Sequence, residues 1–183
     1  MEFDELLAAA RAGSDQAFAA LYRRYNHRVL RYFAAFVPTD QEDLAAETWM
    51  GAARGLNRFE GDEGRFRTWL FAIAHRRLMQ HWRAASRRPA DPTDPSSFAG
   101  IGALDDVEKL VTADTAAQEA VRKLAAVLSE DQLEIVLLRV LGGLTVDEVA
   151  QAVGKRPGTV RVVQHKALRK LAVANFSIEE VTT

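Results

Sequence analysis

The stretch from Leu144 to Ala172, "LTVDEVAQAVGKRPGTVRVVQHKALRKLA", decides how the rest of the chain is read. Thr145-Val-Asp-Glu148 is a capping box: the threonine hydroxyl accepts from an orphan backbone N–H while the glutamate side chain reaches back. It starts a short helix that ends near Gly154, and a longer helix follows from about Gly158 to Ala174. A short capped helix, a glycine turn and a second helix are the parts of a helix-turn-helix. Small Ala150 lets the two helices approach, Gly154 permits the tight turn, and Val149, Val153 and Val160 fill the seam. Lys155 departs from this pattern, since an apolar side chain is usual directly after the turn.

The second helix of this unit sorts into two faces. Val160, Val163, Gln164, Ala167 and Leu171 point inward together. Arg161, Val162, His165, Lys166 and Arg169 gather on the other side, with Thr159 near the start. Arginine and lysine can donate to guanine or phosphate, and valine fits against a thymine methyl, so this face suits a DNA major groove. A solvated basic helix in an ordinary bundle would explain the charge alone. It would not explain the capping box, the small alanine, the turn glycine and their spacing together.

Working toward the N-terminus, Ser129-Glu-Asp-Gln132 is another capping box, placed before "LEIVLLRVL", and Gly142-Gly143 stops that helix. Thr115 to Leu128 is alanine-rich and helical. Residues 87–106, "RRPADPTDPSSFAGIGALDD", hold three prolines and two glycines with little periodicity, and read as a linker. The expected division is an N-terminal helical domain over 1–88, a Pro/Asp-rich linker over 89–112, a helix-turn-helix domain over 113–175 and a tail over 176–183. No strand-like alternation appears anywhere, so the fold class is all-α, two small helical domains joined by a flexible linker.

The first domain contains a second distinctive stretch, Arg65 to Arg88, "RFRTWLFAIAHRRLMQHWRAASRR", with seven arginines, two histidines, four large aromatics and no acid. Phe71, Leu78 and Trp82 fall on one side with Leu70 and Ala74 and read as core. Arg76, Gln80 and Arg83 lie opposite, with His75 at the border. Like charges on one face repel unless an anion neutralises them. Phe66, Trp69 and the preceding loop from Gly61 to Arg65 are placed to stack on or enclose an unpaired base.

Upstream, Phe3, Leu6, Leu7 and Ala10 make a short helix ended by Gly13, and Ser14 or Asp15 caps a second helix bounded by Pro38. Thr39-Asp-Gln-Glu42 reads as a capping box for a helix from Gln41 to Phe59. Leu44, Ala45, Ala52, Leu56 and Phe59 face inward there, with Trp49 at the edge. Asp43, Glu47, Met50 and Arg54 form a mixed-charge stripe around an exposed methionine, a surface suited to docking a partner helix. Asp43 and Glu47 lack the histidine or third carboxylate that would make them a metal site.

Charge is partitioned along the chain. Residues 54–88 carry nine arginines against three acids, residues 89–134 three Lys/Arg against ten acids, and residues 135–172 seven against two. Two basic blocks split by an acidic one suggest two anion-binding surfaces on separate modules. The acidic linker suits a channel built for nucleic acid, where it would mimic a phosphate chain, and equally suits a solvated tether. The four histidines (His27, His75, His81, His165) are scattered, cysteine is absent, and no nucleophile–base set or phosphate loop is present. The expectation is a non-enzyme with no cofactor and no metal. The apolar runs are too short to span a bilayer and the acidic start is not a signal peptide, so a cytoplasmic protein without a membrane partner is expected.

The combination "DQEDLAAETWMGAARGLNRFEGDEGRFRTWLFAIAHRRLMQHWR", a linker, then "LSEDQLEIVLLRVLGGLTVDEVAQAVGKRPGTVRVVQHKALRKL" closely resembles bacterial extracytoplasmic-function (ECF) sigma factors, over nearly the whole chain. The resemblance implies an alternative RNA polymerase sigma factor of two domains. It implies docking on the β′ clamp and β flap of core RNA polymerase, with Asp43, Glu47, Met50 and Arg54 as the clamp-facing residues. It further implies opening of the −10 element by Gly61, Arg65, Phe66, Trp69, His75, Arg76, Gln80 and Arg83. The −35 element falls to Thr159, Arg161, Val162, His165, Lys166 and Arg169, so promoter DNA is the second partner. Family analogy adds an anti-sigma factor, though no residue names one. A stand-alone helix-turn-helix regulator is the alternative; it accounts for residues 144–172 and leaves the first basic block and the linker unexplained.

Overall fold

The computed structural model describes residues 2–87 and 108–174, and over them it holds eight α-helices and no strand. The linker core and the tail, including the phosphate-mimic reading of the linker, lie outside the described residues. The first half comprises α1 (Phe3–Arg11), α2 (Asp15–Ala34), α3 (Gln41–Gly55), a 3-10 turn at Leu56–Arg58, and α4 (Glu63–Arg87). The second comprises α5 (Glu108–Val127), α6 (Glu130–Val140), α7 (Val146–Val153) and α8 (Pro157–Val173).

Local chemistry sets most of these boundaries. Gly13, at φ 91°, turns the chain after α1, and Ser14 Oγ accepts from the Ala17 N–H at 3.3 Å to open α2. The expected Thr39 box does not form: Asp40 is the N-cap of α3, and no side chain accepts there. Asp62 Oδ1 accepts from the Arg65 N–H at 2.8 Å, so α4 starts inside the expected loop and runs unbroken for 25 residues. Glu63 pins that start to α2, taking the Tyr25 hydroxyl at 2.6 Å and Arg24 at 2.8 Å. Tyr25 is consequently a weaker acid than free tyrosine, from burial first and then from the Glu63 hydrogen bond and charge.

The other two boxes form as the sequence requires. Gln132 accepts from the Ser129 N–H at 3.2 Å, and Glu148 accepts from the Thr145 N–H at 2.6 Å while Thr145 Oγ1 accepts in return at 3.3 Å. Gly154 sits at φ 67°, and Pro157 occupies the first turn of α8, where its missing N–H costs nothing. Helix α5 begins at Glu108 rather than near Thr115, so the end of the expected linker is helical.

Two cores meet in one molecule. In the first, Phe3, Tyr25, Phe59 and Phe66 pack as an aromatic cluster among α1, α2 and the start of α4. In the second, α6 is buried from Gln132 through Leu138, and Val149, Val160, Ala167 and Leu171 close the helix-turn-helix beside it. A helix apolar on all sides needs neighbours on all sides. One side of α6 meets α8 and the other meets the first half, while α7 lies along α4. The Gly142–Gly143 turn makes this approach close. A Cβ on Gly142 would lie 2.6 Å from the Leu138 carbonyl and 3.3 Å from the Phe71 ring.

Candidate nucleic-acid interface

Helix α8 presents its faces as the spacing requires. Val160, Ala167 and Leu171 are buried, and Thr159, Arg161, Val162, His165, Lys166 and Arg169 are exposed. Val162, at 55% exposure, is a large apolar side chain standing among polar neighbours, a poor choice for water and a good one for a base edge. Arg161 leans toward Asp147 at 3.6 Å with both side chains mostly exposed, a pairing too weak to withhold it from DNA. Lys155 is accounted for by its partner: its ammonium reaches Asp131 Oδ2 at 2.7 Å on α6, bracing the turn where an apolar residue would otherwise pack.

Asp43, Glu47, Met50 and Arg54 are all exposed on one face of α3, with Met50 at 49%. Glu47 is 3.8 Å from Arg77, an exposed contact that leaves its carboxylate accessible. Trp49, expected at the edge, is buried: its Nε1–H donates to Asn26 Oδ1 at 3.0 Å and its ring meets Phe18 edge-on at 5.9 Å. Among the described residues no group of three candidate ligands surrounds Asp43 and Glu47 or any other point.

On α4, Arg65, Arg76, Gln80 and Arg83 are exposed, and Trp69 is half-buried with its ring 5.0 Å from Phe59. Gly61, at φ 152°, brings the loop so near α4 that a Cβ would lie 2.8 Å from the Arg65 side chain. Arg65, Trp69, Ala72 and Arg76 line a cleft of about 640 Å³, together with Phe59 and Glu60. A cleft of this size with an indole and two guanidinium groups suits an unpaired base and its phosphate.

Two expected members of this face are placed elsewhere. Phe66 is 1% exposed, packed 5.6 Å from Phe3, 5.4 Å from Tyr25 and 5.8 Å from Phe59, so it supports the cleft from behind and cannot stack on a base. The α1 helix, whose Phe3 fills that side, is the physical reason. His75 faces the second half of the molecule, with Nδ1 2.6 Å from Glu134 Oε1.

Three residues at this surface escaped the sequence reading. Glu134 is buried and takes both His75 and the Tyr32 hydroxyl, the latter at 2.7 Å. Tyr32 is fully buried, and burial followed by the Glu134 charge holds its phenol well above the usual range. Glu148 reaches from α7 into the α4 cleft. Burial alone would raise its pKa; hydrogen bonds from Thr145 and Thr68 and the charge of Arg67 outweigh that and lower it. A carboxylate inside the apolar run "LEIVLL" was the available signal for Glu134, because an acid among core residues needs a specific partner.

Residues 21–88 match the family described as Sigma-70 region 2, and residues 118–171 match Sigma-70, region 4. The ECF RNA polymerase sigma factor BldN of Streptomyces coelicolor is 33% identical over 174 residues, covering 92% of this chain and 64% of that relative, so the chain spans less than two thirds of its length. ShbA of Streptomyces griseus, also an ECF sigma factor, is 40% identical over 71% of this chain and 69% of its own. The ECF sigma-E factor of Escherichia coli is 32% identical over 85% of both chains. The structure of CnrH in complex with the cytosolic domain of CnrY shares the fold at a TM-score of 0.61, with 22% identity over 93% of this chain and 94% of that one. Region 2 takes in the whole of α3 and α4, region 4 takes in the helix-turn-helix, and the chain belongs to the extracytoplasmic-function sigma factors of the sigma-70 family.

Proposed function

We propose that this chain, as an alternative sigma factor, docks on the β′ clamp of core RNA polymerase through α3, opens the −10 element against α4 and grips the −35 element with α8. The second half then meets the β flap, and the protein works in the cytoplasm as a non-enzymatic initiation subunit. No helix among the described residues is long and apolar enough to cross a membrane. The observation that carries the reading is α8, whose outer face is exposed and basic around Val162 while its inner face is fully packed. CnrH is held by the cytosolic domain of CnrY in the structure that shares this fold, and by analogy an anti-sigma regulator is proposed here.

The direct test is run-off transcription with core polymerase on a random promoter library. Enrichment of one paired −35 and −10 sequence is expected. Output no greater than that of core polymerase alone would overturn the reading, and duplex binding without polymerase capture would favour a stand-alone regulator.

Within α8 the basic residues divide by role. Arg161 and Lys166 are assigned to base edges, Arg169 and Thr159 to phosphate. Arg169→Ala should therefore weaken all duplexes alike and lower the salt slope by about one unit. Arg161→Ala should instead change preference at one or two base pairs, at a cost of about 1–3 kcal/mol. Val162→Ala should reduce the advantage of thymine over uracil at one −35 position. Duplexes differing only in that methyl, titrated at one salt concentration, decide it; equal discrimination by both proteins would mean that α8 lies in the groove in another register.

A further inference from the structure

The α4 cleft is not open on all sides in this structure. Glu148 and Gln151 of α7 form one of its walls, opposite Arg65, Trp69 and Arg76. The Glu148 carboxylate lies within the influence of Arg67 and Thr68, occupying a position an incoming phosphate would otherwise take. Beside it the Gly142–Gly143 turn covers Phe71 and the Arg67 guanidinium, whose Nε is buried without a hydrogen-bond partner among the described residues. Farther along, Glu134 is inserted between Tyr32 and His75. By contrast the outer face of α8 remains exposed in the same arrangement.

These contacts have the character of a reversible latch. A buried carboxylate gains little net energy over its hydrated state, yet leaving it unpaired in the interior is costly. It therefore fixes one docking register without adding much to the stability of that register. When the halves separate, Glu134, His75 and the Tyr32 hydroxyl regain water, so opening leaves no orphan behind.

We propose that the free chain is self-masked: the second half closes over the α4 face through the Glu134 latch and the Glu148–Arg67 contact, leaving −35 binding available and single-strand capture blocked until core polymerase separates the halves. This rests on the assignment of the −10 element to α4.

The chain has no cysteine, so Ala12→Cys and Ala126→Cys, both exposed and one in each half, can be labelled cleanly as a donor–acceptor pair in the full chain. High energy transfer is expected in the free protein, falling on addition of core polymerase. Glu134→Lys should lower it without polymerase, since the cation would be forced against His75. Arg67→Glu, which sets two carboxylates against each other, should do the same from the other side. Both variants should keep the affinity for a −35 duplex, which reports an intact helix-turn-helix. Both should bind a single strand carrying the −10 element of a transcribed promoter about tenfold more tightly, as expected if the closed form holds roughly nine tenths of the free population. Low transfer in the unmodified free chain, or transfer and strand affinity unchanged in both variants, would overturn the latch. Opening without any gain in strand binding would overturn the masking. Whether the −10 assignment falls with it is read separately from Arg76→Ala in the holoenzyme, whose promoter opening does not depend on the free chain being closed.

Discussion

Reversing Asp43 and Glu47 together to lysine is expected to weaken the binding of this sigma factor to core polymerase by about a hundredfold, near 3 kcal/mol. Both carboxylates lie exposed on α3 beside Met50, with no neighbour that needs them for folding. Glu47 has only the long contact to Arg77, and an exposed pair of that kind contributes about 0.5 kcal/mol or less. Thermal stability and helicity should thus stay close to those of the parent chain while affinity falls. Titration of labelled core polymerase with each protein gives the answer, and undiminished affinity would remove α3 from the interface. Met50→Ala should produce a smaller loss, because it removes apolar contact without creating a like-charge clash.

The helix-turn-helix was legible because each of its parts is a local rule: two reciprocal side-chain bonds at Thr145 and Glu148, a left-handed glycine at 154, a proline at the first turn of α8. The outward set on α8 followed from periodicity alone. What stayed hidden depends on which elements meet. Phe66 has the spacing of a surface aromatic on α4, and only the arrival of Phe3 from α1 buries it. Trp49 is buried by Phe18 and Asn26, both on α2. His75 has a border position on its own helix and gains its partner from α6, which is 59 residues away in sequence. Helix α6 did carry a warning, since "LEIVLL" is apolar around its whole circumference and one small three-helix unit cannot cover every side. The Thr39 box failed for a simpler reason: the motif is common, and Asp40 took the capping position one residue later.

Replacing Arg76 and Gln80 together with alanine is expected to slow open-complex formation about thirtyfold while changing closed-complex affinity much less. Both side chains are exposed one turn apart on α4, and Arg76 also lines the cleft with Trp69. Their removal should leave the fold intact, since Gln80 has only an exposed hydrogen bond from Arg77 at 3.0 Å. Drawing a base out of the duplex costs a few kcal/mol of stacking, and the protein must return that energy through contacts made only after opening. Arg76 can supply a charge-assisted bond to the exposed strand and Gln80 a base-edge bond, each of the order of 1–3 kcal/mol. Neither contact exists while the base remains paired, so the loss must appear in the opening step. Permanganate reactivity of promoter thymines follows that step directly, and filter binding at low temperature follows the closed complex. A parallel fall in both would assign these residues to general phosphate attraction. Unaltered reactivity in the double mutant would move the −10 contacts off this face of α4.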